Sequence, residues 1–141
     1  MNQRPYTSVR DVMTPKPHVV DGLASVAEAV ALMKRDGVSS LVIDKRHERD
    51  EYGILVVHDI AEKVIGRDRS PERTSVYEIM SKPVLTFDGD MDIRYAIRML
   101  ARFGLSRGLV TDREGLIGIV TLRDMVFRFG ASGDPSSAPK G

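Results

Sequence analysis

The chain contains one unit twice, and this restricts its fold more than any other feature. Shifted by 67 residues, the sequence lands on itself: Val9 meets Val76, Met13 meets Met80, and Asp21-Gly22 meets Asp88-Gly89. Ala29 then meets Ala96, Arg35 meets Arg102, Gly37 meets Gly104 and Ser39 meets Ser106. Past a loop two residues longer in the first copy the offset becomes 65, so that Gly53-Ile54 meets Gly118-Ile119 and Asp59 meets Asp124. Periodic self-similarity has to be read before local pattern, because each copy is one supersecondary unit. A unit of about 60 residues cannot cover both faces of a small sheet. Two units packed together can, so the repeat predicts one pseudo-two-fold body with two equivalent clefts where the copies meet.

Each copy reads locally as βαββα, giving an α/β (α+β) fold of two such repeats. A short opening strand (Val19-Val20, or Val84 to Phe87) ends at an Asp-Gly turn. In the first copy Ser25 and Glu28 form a capping box, Val26, Ala29, Val30 and Met33 line one helical stripe, and Gly37 stops the helix. In the second copy Asp92 caps, the stripe is Ile93, Ala96, Ile97 and Leu100, and Gly104 stops it. The stripes are core rather than ligand surface. Two strands follow, Ser40–Ile43 with Tyr52–Val57, and Gly108–Thr111 with Leu116–Thr121, then a second helix at about 58–65 and 122–129. The expected organisation is repeat one over 9–66, a polar linker over 67–75, repeat two over 76–130, and a disordered Gly/Ser/Pro-rich tail over 131–141. The mixed-sign run from Lys45 to Glu51 fills the longer hairpin loop.

Composition removes several function classes. There is no cysteine, which rules out disulfides, thiolate metal sites and a cysteine nucleophile. Lys plus Arg is 21 and Asp plus Glu is 20, so the surplus of cation that a nucleic-acid binder needs is missing. The first six residues lack the apolar core of a secretory signal, and no apolar run is long enough to span a bilayer. A cytoplasmic chain without membrane contact is expected. His18, His47 and His58 do not have zinc-ligand spacing, and there is no Gly-rich Lys-Ser/Thr phosphate loop and no serine elbow. No nucleophile stands beside a base, so an enzyme is not expected, and no metal is expected.

Each copy opens with Val-x-Asp/Glu-Val/Ile-Met (Val9 to Met13, Val76 to Met80) and closes with Gly-Ile-x-x-x-x-Asp leading into a helix. This order, occurring twice, resembles a tandem pair of CBS domains, a Bateman module, from about Val9 to Gly130. The resemblance implies a regulatory module binding AMP, ADP, ATP or a related adenosyl ligand such as NAD or S-adenosylmethionine. It also implies a homodimer, and regulation of a separate, unknown partner protein. The alternative is an interaction scaffold whose clefts are degenerate and bind nothing.

The nucleotide signature that the resemblance implies, Gly-hydrophobic-x-Thr/Ser-x-x-Asp, is intact at Gly118 to Asp124. An ionised carboxylate at Asp124 can accept from both ribose hydroxyls, and the Thr121 hydroxyl and helix N-terminus can hold phosphate, with Arg123 beside them. Thr121 and Asp124 are equally a Thr-x-x-Asp helix cap. The remaining walls implied by the resemblance are Ser81, Lys82, Pro83, Val84, Ser106, Arg107 and Gly108, with Arg107 either stacking on a base, pairing with a phosphate, or simply solvated. In the first copy Val56 replaces the hydroxyl, which makes a weaker second site of Asp59, His58, Thr14, Lys16, His18, Val19, Ser39, Ser40 and Leu41. His58 is either a phosphate donor or an ordinary surface histidine. The proline that family members often carry near Val42 or Leu109 is absent.

Overall fold

A computed structural model describes residues 6–82 and 84–131. It is a mixed α/β structure with two sheets and five α-helices. The expected tail falls outside the described residues except for Ala131, which ends the last helix.

The chain folds as two compact units, and these do not coincide with the sequence repeats. One unit comprises 17–84 and the other combines 1–16 with 85–141. In the 17–84 unit, β2 (Val19–Val20) crosses over through α2 (Val26–Asp36) to pair in parallel with β3 (Ser40–Ile43). That strand pairs antiparallel with β4 (Gly53–Val56), which runs directly into α3 (Val57–Lys63). A 3₁₀ turn at Ile65–Arg67 takes over where the expected helix would have continued to Ile65. In the other unit, β5 (Thr86–Asp88), α4 (Ile93–Arg102), β6 (Arg107–Asp112), β7 (Gly115–Thr121) and α5 (Leu122–Ala131) repeat the same path. Both first helices start as their caps require. Ser25 Oγ accepts from the Glu28 N–H at 3.0 Å, and Asp92 accepts from the Arg94 N–H at 2.9 Å. Gly37 ends α2 at φ 66° and Gly104 follows α4 at φ 65°, a left-handed conformation that glycine adopts without the usual Cβ penalty.

The opening segments explain why the units and the repeats differ. The segment α1 (Val9–Val12) and β1 (Thr14–Pro15) belongs by sequence to the first copy, yet it packs in the second copy's unit. Val9 and Val12 lie in one core with Phe87, Ile93, Leu100, Val110, Val120 and Met125. Conversely Val76 and Ile79 lie in the core with Val26, Met33, Leu41, Ile43, Leu55 and Ile60. Burying each valine or isoleucine is worth about 1.5–3 kcal/mol, so the exchanged segment contributes materially to each unit. Matched backbone hydrogen bonds fix it. The Val9 N–H donates to Met91 O and the Ile93 N–H to Thr7 O; likewise Val76 donates to Ala24 O and Val26 to Thr74 O. A cation from the last helix of each unit closes the other end, Arg128 Nη1 on Asp11 O at 3.0 Å and Lys63 Nζ on Ile79 O at 3.2 Å.

The two sequence motifs are thus halves of one contact. The methionine that ends each opening motif rests on the glycine that begins the other copy's Gly-Ile segment. A Cβ at Gly118 would stand 2.5 Å from Met13 Sδ and 2.8 Å from Thr14 O; a Cβ at Gly53 would stand 2.5 Å from Met80 Sδ. At Gly118 the Thr14 backbone carbonyl leaves no room for a Cβ, whereas at Gly53 only the flexible Met80 side chain stands in the way.

Candidate ligand site at the start of the last helix

The exchange sorts the candidate residues into two groups. Thr14, Lys16, Ser106, Arg107, Gly108, Thr121, Arg123 and Asp124 belong to the unit that contains β7 and α5. His18, Val19, Ser39, Ser40, Leu41, His58, Asp59, Ser81, Lys82 and Val84 belong to the 17–84 unit. Pro83 lies outside the described residues. Thr14 and Lys16, expected with Asp59, therefore flank β7 instead: Thr14 is in register with Ile119, and the Lys16 N–H donates to Ile117 O. Ser81, expected with Thr121, bridges Ile54 through paired backbone hydrogen bonds. The motifs that pick these positions occur in both copies, so nothing in their local pattern says which sheet each opening segment joins.

In the first group the geometry centres on Thr121. Antiparallel register puts Arg107 directly opposite it, so both side chains leave the same face of the sheet. The Thr121 hydroxyl accepts from the Asp124 N–H at 3.0 Å, which makes it the N-terminal cap of α5. Its own O–H proton stays available as a donor. The Leu122 N–H is used by Ser106 O at 2.8 Å, which ties the start of β6 to the start of α5. Among the described residues, the half-buried Asp124 carboxylate and the half-buried Arg107 guanidinium have no hydrogen bond or ion pair. Arg123 is exposed and lies over the Phe127 ring, 4.6 Å from its centroid. Gly108 is buried, and a Cβ there would come within 2.7 Å of the Phe87 ring and 3.0 Å of Leu85 O.

The second group has the same backbone and different chemistry. Ser40 stands opposite Val56, so the Arg–Thr pair becomes a serine facing an apolar side chain. Asp59 is only 7% exposed and its carboxylate is occupied. It accepts from the Val56 N–H at 3.4 Å and faces Lys63 Nζ at 3.5 Å. His58 is exposed and pairs with Glu62 at 3.5 Å, the geometry of a surface histidine. His18 Nδ1 lies 3.4 Å from Asp36, and Leu41 is fully buried in the core. Lys82 is held by the Asp50 carboxylate, a contact invisible in the mixed-charge run of the loop. The Lys82 ammonium, helped by the Arg46 N–H, holds Asp50 well below the usual carboxylate range. Ser39 and Val19 are exposed, and Val84 is half-buried.

The structure is thus a duplicated α/β unit in which one copy carries, close to a helix start, a carboxylate and a facing-strand cation that have no partner among the described residues. The CBS domain family matches residues 9–66 and 76–130, and the chain belongs to that family. An uncharacterized protein of Methanopyrus kandleri is 34% identical over 119 residues, which is 83% of this chain and 57% of that relative. The chain thus spans little more than half the length of that relative. Among solved structures, a hexameric CBS-CP12 protein from bloom-forming cyanobacteria superposes with a TM-score of 0.83 at 32% identity, covering 92% of this chain and 75% of that one. The CBS domain pair of the protein MJ0100, in complex with 5'-methylthioadenosine and S-adenosyl-L-methionine, superposes with a TM-score of 0.76 at 26% identity, covering 90% and 98%. Among the described residues no helix is long and apolar enough to cross a membrane, and no group of three acidic or histidine side chains could hold a metal ion.

Proposed function

We propose that the chain is a regulatory sensor that binds one adenosine-bearing ligand at Thr121 and Asp124 and acts on a separate partner protein. The observation that carries this reading is the pairing state of the two equivalent aspartates. Asp59 is buried and satisfied by its own unit, whereas the Asp124 carboxylate has no partner among the described residues. A half-buried carboxylate without a partner is a costly feature to keep for stability alone, and ribose hydroxyls would satisfy it. Arg107 opposite Thr121 supplies a cation where phosphate oxygens would lie, which favours AMP, ADP or ATP over an uncharged adenosyl group. The MJ0100 complex supports an adenosyl ligand in a fold of this kind.

In this reading Thr14, Lys16, Ser106, Arg107, Gly108, Arg123, Thr121 and Asp124 form the binding set. The residues around Asp59 and Val56, with Ser81 and Lys82, are structural. The protein works in the cytoplasm as a homodimer and performs no turnover. Titration calorimetry with AMP, ADP, ATP, NAD and S-adenosylmethionine tests this directly. One site per chain with a preference for a phosphorylated ligand is expected. No heat with any of them up to ~1 mM, where binding is worth about 4 kcal/mol, would leave the scaffold reading in its place.

A further inference from the structure

The Asp-Gly turn before the first helix of each unit borders a surface hollow, and the two hollows differ in chemistry. In the 17–84 unit the hollow holds about 360 Å³, and its lining includes Asp21, Leu23, Asp44, Lys45, Arg46 and Tyr77. It lies where β3 leads into the hairpin loop, whereas Ser40 and Val56 lie at the other end of that strand pair. In the other unit the equivalent hollow holds about 500 Å³, and the described residues that line it are all charged. There Arg10 reaches Asp90 at 2.6 Å and lies 3.9 Å from Asp112. The shift of 67 residues puts Tyr77 in the place of Arg10, Leu23 in that of Asp90 and Lys45 in that of Asp112. One copy is bridged by ion pairs, and the other presents two apolar side chains beside charges.

Backbone contacts fix the walls of the 17–84 hollow. The Asp44 N–H donates to Val20 O at 2.9 Å, and Val20 is in parallel register with Ile43, so Asp21 and Asp44 leave neighbouring strand ends. Each carboxylate accepts one backbone N–H, Asp21 from Leu23 at 2.7 Å and Asp44 from Lys45 at 2.8 Å. Neither has an ion pair among the described residues. Tyr77 is set against the turn: its N–H donates to Gly22 O at 3.1 Å, and a Cβ on Gly22 would stand 3.3 Å from Tyr77 Cβ. Tyr77 is 45% exposed and Leu23 77%. Arg46 is engaged by Asp50 at 3.6 Å. Lys45 lies over the Tyr52 ring at 5.0 Å and has no ion pair among the described residues.

We propose that this hollow binds a free α-amino acid with an apolar side chain, its ammonium at Asp21 and Asp44, its carboxylate at Lys45 and its side chain on Tyr77 and Leu23. Charge selects a zwitterion. A nucleotide phosphate would face two carboxylates, and a simple cation would leave Lys45 unmatched. Size agrees, since about 360 Å³ is at the small end of the roughly 300–1,000 Å³ range of ligand pockets. Thr121 and Asp124 belong to the other unit, so the proposal is independent of the adenosine reading.

Leucine, methionine and phenylalanine are the probes, each titrated calorimetrically into the full chain. At least one is expected to bind at one site per chain. For that amino acid, the analogues lacking the ammonium or the carboxylate are expected to bind about fivefold more weakly. Lys45→Gln should weaken the amino acid and leave the analogue without a carboxylate unchanged. Tyr77→Arg combined with Leu23→Asp gives the hollow the other copy's residues and should weaken amino-acid binding about tenfold or more. Circular dichroism checks that this variant is folded, and an adenine-nucleotide titration should give the wild-type result in it. No binding of any of the three amino acids at ~10 mM would overturn the proposal. So would equal affinity for the amino acid and both of its truncated analogues, or wild-type affinity in the folded double variant, which would place the ligand elsewhere.

Discussion

Replacing Asp124 and Asp59 by alanine, separately, subjects two equivalent helix starts to the same chemical change with opposite expected results. Asp124 has no side-chain partner among the described residues. Its folded-state contribution is its charge in the first turn of α5, worth about 0.3–1 kcal/mol. Alanine recovers part of that through helix propensity. Asp124→Ala should therefore shift stability by less than about 1 kcal/mol. Asp59 also sits in a first turn, but it is buried, accepts from the Val56 N–H and faces Lys63. Removing the acceptor of a buried hydrogen bond adds about 1–3 kcal/mol, so Asp59→Ala should be the clearly less stable variant.

Binding should reverse the order. A carboxylate that accepts from two ribose hydroxyls loses two charge-assisted hydrogen bonds on truncation, each worth about 1.5–3 kcal/mol. Affinity should then fall about a hundredfold or more, since ~1.4 kcal/mol is tenfold. Urea denaturation followed by circular dichroism reads the stabilities, and calorimetry with the best adenine nucleotide reads the affinities. A loss of several kcal/mol for Asp124→Ala, with the folded fraction still binding at wild-type affinity, would show that the carboxylate only supports the helix. Undiminished stability in Asp59→Ala would refute the account of why the first copy's aspartate is unavailable.

Gly118→Ala should cost more than Gly53→Ala. The Gly118 Cβ meets the Thr14 carbonyl as well as Met13, whereas at Gly53 the three nearest atoms all belong to the flexible Met80 side chain. Overpacking of this kind costs about 1–3 kcal/mol, and equal melting temperatures for the two variants would show that the backbone contact yields freely. Asp50 gives a pH signature. Its carboxyl is held low first by the Lys82 ammonium and then by the Arg46 N–H, so the folded protein binds this proton less readily than the unfolded chain. That contribution is complete above the ordinary aspartate range near pH ~4 and drains away as the pH falls below it. Asp50→Asn should flatten this acid limb of a stability–pH curve; superimposed limbs for the variant and the wild type would place no stabilisation in the contact.

Much of this protein is legible from the order of its residues. Periodicity of 3.6 in Val26, Ala29 and Met33 fixed a helix because an amphipathic stripe can be buried in no other regular way, and Ser25 with Glu28 fixed where it starts. The self-match fixed that there are two such units. The loss of the hydroxyl at Val56 marked one copy as chemically poorer. Ends of elements were less legible: α3 stops at Lys63, three residues before Gly66, and yields to a 3₁₀ turn over Ile65–Arg67.

What the sequence could not decide is which partner each repeated motif takes. Val9 to Met13 and Val76 to Met80 are alike, and so are the two Gly-Ile segments, so either opening segment fits either sheet by local pattern. The folded chain resolves this by placing Met13 on Gly118 and Met80 on Gly53. The same holds for the aspartates. Both read as helix-start carboxylates with a cation four residues on, Lys63 and Arg128, and only the fold shows Lys63 facing Asp59 while Arg128 donates instead to the distant Asp11 carbonyl. Local propensity acts between residues a few positions apart, whereas these choices depend on side chains brought together from distant parts of the chain, which only the tertiary fold juxtaposes.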